Sequence, residues 1–256
     1  MKLLTRFLLF LAPLFYPVCC FSAEYRIDGE VNGVKSTAYL LDGQFISVIG
    51  TNGEAVIFEA AKHTFTLVDP SLRQQTQIDA LKTKEQTESL RQQVLNVKNP
   101  KKDSFLYFAV QPKYTVKNDG SNGIITLESP WVDYEFKTTP FPDETAAMYY
   151  DFCDWMCYLN LRLNPYSSMM LTRLAANQFL REKKQFATHV SSALYTKGKS
   201  ALSQVDLLES AHQLSRRLSD EDKKCLDKIF EAKKTYPVVP FEEYQKRMAE
   251  KKTEKK

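Results

Sequence analysis

Three dipeptides with glycine in second place, Asn32-Gly33, Asp42-Gly43 and Asn52-Gly53, recur at ten-residue intervals near the front of the chain. Asn-Gly and Asp-Gly are the pairs that a two-residue hairpin turn selects, because its central positions need a left-handed backbone. Between and around them lie short runs rich in β-branched and aromatic residues: Glu24–Val31, Lys35–Leu41, Phe45–Ile49, Ala55–Ala60 and His63–Val68. Loops this short cannot carry a parallel crossover, so the runs predict an antiparallel meander. Asp69-Pro70 closes it, since proline cannot donate to a ladder and keeps its predecessor out of helical space. Arg73–Asp79 reads as one more strand. Alternation puts Val56, Phe58 and Ala60 on one face, with Phe65 and Leu67 inward on the next strand.

The pattern then changes period. Asp79–Val97 predicts an amphipathic helix whose thin apolar stripe is Leu81, Leu90, Val94 and Val97, with Lys82, Lys84, Glu85 and Glu88 toward water. Phe105–Val110 is a short apolar run of ambiguous type. A second hairpin set follows through Tyr114–Asn118, Asn122-Gly123 and Ile124–Leu127. It ends in a strand where Val132, Tyr134 and Phe136 alternate with Asp133, Glu135 and Lys137. Asp143 can cap a long helix, 144–163, stopped by Asn164-Pro165. That helix is apolar on nearly every side, with Met148, Phe152, Trp155 and Leu159 on one stripe and Tyr149, Cys153, Met156 and Leu163 on another. Such a helix is enclosed by other elements. A further helix begins at Ser167 or Ser168 and reaches about Lys183, with Leu171, Leu174, Ala175 and Phe179 inward. Phe186–Tyr195 and Ser203–Leu214 read as returning strands. Ser219-Asp220-Glu221-Asp222 opens a helix carrying Leu226, Ile229 and Phe230.

Charge is confined to the ends. Two basic residues stand among the first six, and six basic against two acidic residues among the last eleven. The body between them holds 27 basic and 29 acidic residues, which excludes the clustered positive face that a nucleic-acid binder needs. Residues 1–23 read as a secretory signal peptide: Lys2 and Arg6, then the apolar run Phe7–Val18, then a small-residue exit at Ser22-Ala23. The run spans only about 18 Å as a helix and holds Pro13 and Pro17, against a bilayer core of about 30 Å. A periplasmic or secreted protein is the expectation, with no transmembrane segment once the signal is removed. Neither Cys19 nor Cys20 has the small residue before it and the Leu-like residue three before it that lipidation wants.

No phosphate-binding glycine run, nucleophile elbow, metalloprotease helix, EF-hand loop or C-x-x-C pair occurs. Cys153 and Cys157 are four apart on one helix, with Cβ atoms about 5–6 Å apart, too far for an unstrained disulfide. Either could pair with Cys225 in an oxidising compartment, and buried thiols acting as small hydrophobes are the simpler reading. His63, His189 and His212 read as sheet histidines. No metal, cofactor or catalytic set is expected, and hence no enzyme. The chain's strands carry many aromatic residues, among them Tyr39, Phe58, Phe65, Trp131, Tyr134 and Phe136. Ordinary core is the simpler reading of them; should the sheet curve too widely for its own side chains to fill, these six are the expected lining of an apolar ligand site.

The order signal, strand meander, helix, more strands, inserted helices and returning strands, over roughly residues 24–215, resembles the lipoprotein carriers of the LolA/LolB type. That resemblance implies an open half-barrel lidded by helices, holding acyl chains. Ser129-Pro130-Trp131-Val132-Asp133-Tyr134, Asp151-Phe152-Cys153-Asp154-Trp155, Leu174-Ala175-Ala176-Asn177 and Pro240-Phe241-Glu242-Glu243-Tyr244 are similar to an uncharacterised family of secreted bacterial proteins. The expected fold is a single α+β domain over 24–245, a curved antiparallel sheet with helices packed on its concave side. A charged, solvated tail follows over 246–256. The expected partner is an apolar ligand or lipoprotein, or an envelope protein, and no nucleic acid.

Overall fold

The computed structural model describes residues 24–254 except 32, 42, 51–52, 99–100, 102, 142, 165–167, 196–197 and 200–204. The expected signal segment, 1–23, lies outside the described residues. The first six strands are β1 (Tyr25–Val31), β2 (Val34–Leu41), β3 (Gln44–Ile49), β4 (Glu54–Glu59), β5 (Thr64–Asp69) and β6 (Gln74–Asp79). Helices α1 (Ala80–Leu95) and α2 (Phe105–Val110) lead to β7 (Thr115–Asp119), β8 (Ile124–Glu128) and β9 (Val132–Pro140). Helices α3 (Asp143–Leu163) and α4 (Met169–Glu182) precede β10 (Gln185–Tyr195) and β11 (Val205–Arg216), and α5 (Asp220–Thr235) and α6 (Phe241–Glu254) close the chain. Ser104 caps α2 through its side chain, so the ambiguous run at 105–110 is helical.

Among the described residues the strands make one antiparallel sheet in the order β6-β5-β4-β3-β2-β1-β11-β10-β9-β8-β7. Two meanders are thus joined where the first strand pairs with the last, Ile27 opposite Leu214 and Gly29 opposite His212. The outermost strands β6 and β7 do not meet, so the curved sheet stays open. A register shift between Ala187 and His189 on β10 adds a local bend.

Helices α3 and α4 lie on one face. Tyr149, Phe152 and Leu159 of α3 and Ala176 and Leu180 of α4 share a single apolar core with Ile27, Leu40, Phe45, Phe58, Phe65, Tyr134 and Phe136. Helix α5 covers the other face over β2–β5, where Leu226, Ile229 and Ala232 pack on Tyr39, Ile46, Ile57 and Val68. Covering both faces explains why Ala55 to Phe58 of β4 are all buried instead of alternating with exposed positions.

The segment after α5 passes around the β6 edge. The Gln75 amide donates to the Pro237 carbonyl at 3.0 Å and the Val239 amide to the Gln75 carbonyl at 2.8 Å. The Gln75 side-chain Nε2 donates to the carbonyls of Lys233 and Tyr236 at 2.7 Å each. An edge that would otherwise offer free backbone groups is closed this way. Helix α6 then lies back on the α3 face, with Tyr244 buried and Met248 against the core, and Arg247 donates to Gln74 Oε1 at 2.9 Å. Within the stretch expected as a charged tail, Met248 and Arg247 thus make contacts with the body while Lys246 stays exposed.

Two helix faces differ from their expected orientation. On α1 the buried positions are Ala80, Thr83 and Thr87, whereas Leu81 and Leu90 are exposed, as is Val97 beyond its end. The threonines can be buried because each hydroxyl donates to the carbonyl four residues before it, Thr83 to Asp79 at 2.7 Å and Thr87 to Thr83 at 3.1 Å. On α4 the buried set is Leu171, Thr172, Ala176, Asn177 and Leu180; Leu171 is inward as expected, while Leu174 and Phe179 are only partly buried against the core. Thr172 donates to the Met169 carbonyl and accepts from the Tyr134 hydroxyl, and Asn177 Nδ2 donates to Asp154. Polar residues with partners thus occupy positions that hydropathy assigned to Leu174, Ala175 and Phe179.

Candidate ligand-binding site

Strand register decides which side chains face α3 and α4. Large ones stand on two flanks. On β3–β5, Phe45 and Phe58 stack at 5.9 Å and Phe58 meets Phe65 at 4.9 Å. Helix α3 lays Phe152 on Phe45 at 5.4 Å and Trp155 on Phe58 at 5.1 Å. On β9, Tyr134 and Phe136 stack at 5.6 Å, covered by Thr172 and Arg173 of α4. Between these flanks the central strands mix large and small side chains on the helix face: Ile27, Leu40 and Val190 in the core, and Gly29 on β1, Ser36 and Ala38 on β2, Ser192 on β10 and Ser210 on β11, with His212 beside them. Met148 and Cys153 of α3 and Met169 of α4 pack against the core but remain partly open. The same face runs outward to Val34 and Leu208, 55% and 37% exposed.

Gly29 stands in tight quarters. A Cβ there would meet Ser36 Oγ at 3.0 Å and His212 Nδ1 at 3.5 Å. His212 shares a 3.0 Å hydrogen bond with Ser210 Oγ. Burial, then the charges of Arg173 and His189, push its pKa from 6.5 down to about 4. The unfolded chain therefore binds a proton below about pH 6.5 that the folded chain refuses until about pH 4, so this residue costs stability as pH falls through that window. His212→Asn is expected to remove up to about 2–3 kcal/mol of the acid-side loss between pH 6.5 and 4. Urea midpoints measured from pH 7 to 4 should fall less steeply for the variant than for the wild type; parallel curves would show that His212 is not so enclosed.

The six aromatic residues expected to line a site do not share one. Phe58, Phe65, Tyr134 and Phe136 are on the helix-covered face, and all four are fully buried flank residues. Tyr39 faces the opposite way, under α5, and its hydroxyl donates to Asp222 Oδ1 at 3.0 Å. Trp131 stands half-buried before β9, 6.2 Å from the Phe105 ring. The residues that sequence reasoning missed are the small ones of the central floor, and Arg173. Small serines carry no signal of burial, and an arginine on a helix reads as its wet side.

Cys153, Cys157 and Cys225 are all free. The first two lie on the α3 side and Cys225 on α5, so the sheet stands between them and rules out the pairing that composition allowed. Burial raises the thiol of Cys153 to about 11. Among the described residues no group of three or more His, Cys, Asp or Glu side chains is placed to hold a metal ion. No helix among them is long and apolar enough to cross a membrane.

No protein-family model matches this chain, and no curated protein is significantly similar to it.

Proposed function

We propose that this chain is an exported, non-enzymatic binding protein for an apolar or acylated ligand, taken up between the central strands and helices α3 and α4. One observation carries the reading: the floor of β1, β2, β10 and β11 holds Gly29, Ser36, Ala38, Ser192 and Ser210 where the flanks hold paired aromatic rings. The partly open Met148, Cys153 and Met169 above it suit an adaptable apolar ligand, since methionine reshapes easily. Export rests on the pattern of residues 1–23. A second reading, an envelope structural or interaction module with a filled core, is favoured by the fully covered flanks at Phe58, Phe65, Tyr134 and Phe136.

Native mass spectrometry of protein purified from its own source, with extraction of bound lipid, distinguishes the two. Binding predicts a ligand-bearing species and saturable uptake of a fluorescent fatty acid by the stripped protein. A mass equal to the bare chain, together with no uptake, would overturn the binding reading and leave the structural one.

A further inference from the structure

We propose that the ligand is a single-tailed amphiphile with a carboxylate head, and that Arg173 of α4 receives that head. The proposal rests on the binding reading above. The Arg173 guanidinium lies over the rings of Phe136 and Tyr134, its central carbon 5.2 and 5.9 Å from their centroids. Its side chain has no hydrogen-bond or ion-pair partner among the described residues, yet none of its nitrogens is sealed from a water-sized molecule. A guanidinium has five N–H donors, and none of them is spent on a side chain or carbonyl among the described residues.

The charge has no counter-charge. The ionisable groups that bear most on it are Tyr134, Cys153, Tyr149 and Cys157. Burial pushes those phenols and thiols up, so all four are neutral at physiological pH. His212, depressed by burial and by Arg173 itself, is neutral as well. The nearby acid on α3, Asp154, is already held by Arg181 at 2.7 Å and Asn177 at 2.9 Å. Arg173 also sits in the second turn of α4, whose first turn carries no acid, so the helix dipole adds to the positive potential instead of relieving it. Stacking on two rings offsets part of the cost of an unpaired, enclosed cation, but a leucine or methionine would pack there at no such cost. An uncompensated cation packed among apolar and partly open side chains is the complement of an anionic head on an apolar tail. One guanidinium with no second cation suits a monoanion, and a carboxylate matches its fork with two parallel hydrogen bonds.

The test uses the full mature protein stripped of bound lipid. A fluorescent fatty acid is displaced by palmitate, by hexadecanol, by a lysophosphatidate and by inorganic phosphate, for the wild type, Arg173→Gln and Arg173→Lys. The expected result is tight binding of palmitate by the wild type, a loss of at least tenfold in Arg173→Gln, partial recovery in Arg173→Lys, and hexadecanol affinity changed less than twofold. Palmitate bound equally by wild type and Arg173→Gln would overturn the proposal while leaving the binding reading intact. A lysophosphatidate outcompeting palmitate would overturn the carboxylate assignment, and displacement by phosphate alone would overturn the amphiphile. No uptake of any tailed probe by the wild type would sink both readings together. Should Arg173→Gln not fold, palmitate labelled at its carboxyl carbon and titrated by NMR on the wild type replaces it. Contact with Arg173 predicts a bound carboxyl pKa below that of the free acid, and an unchanged or raised value refutes the contact.

Discussion

Phe58→Ala is expected to lose about 3–5 kcal/mol of stability, the range for truncating a buried phenylalanine. Its ring lies between Phe45, Phe65 and Trp155, with centroids at 5.9, 4.9 and 5.1 Å, and it is 2% exposed. Removing it leaves a void at the junction of β3, β4, β5 and α3 that no neighbouring backbone can close. For a domain of this size the melting temperature should fall by roughly 10 °C. Urea unfolding followed by tryptophan fluorescence checks the value, because Trp155 reports the same contact. A loss under about 1 kcal/mol would mean that α3 does not rest on this flank.

Asp222→Ala is expected to cost about 2–4 kcal/mol. Its carboxylate joins the start of α5 to the sheet. One oxygen accepts from the Arg26 guanidinium at 2.9 Å and from the Tyr39 hydroxyl at 3.0 Å. The other accepts from the Ser219 amide and hydroxyl, both at 2.8 Å. Burial alone would push this carboxyl up, but the Ser219 bonds, the Tyr39 hydroxyl and the Arg26 charge together hold it below its ordinary 3.8. A carboxyl lowered in the folded state stabilises above the unfolded pKa and loses that contribution as pH falls through the folded one. The wild type should therefore lose more stability than Asp222→Ala below about pH 4, as acid denaturation of the two proteins followed by circular dichroism would reveal. A deficit in the variant that stays constant down to pH 2 would assign the loss to packing instead of charge.

Much of this architecture is legible along the chain. The X-Gly turns place β1 to β5 within a residue or two, because turn geometry is local and glycine is one of few residues that meet it. The Ser219–Asp222 capping box starts α5 where the sequence implies. Val132, Tyr134 and Phe136 share the buried face of β9 as their alternation requires. The site is less legible. Tyr39 was expected beside Phe58, yet the two face opposite sides of the sheet, because each strand carries apolar residues on both faces and alternation cannot say which cover each receives. The stripe of α1 misleads for a related reason: Thr83 and Thr87 satisfy their own hydroxyls, so hydropathy does not identify the inner side.

By itself, then, the sequence determined the strands, the turns, the helix caps and the antiparallel order of neighbours, all of which are set by interactions within about ten residues. Only the tertiary structure decided that β1 pairs with β11, across nearly the whole length of the chain. It also decided that α5 takes one face while α3 and α4 take the other, and that small side chains from the first two and the last two strands share one face. Those outcomes depend on the competition among several apolar surfaces for the same cover. Burial rewards area without regard to position in the chain, so no local pattern can record which surface wins.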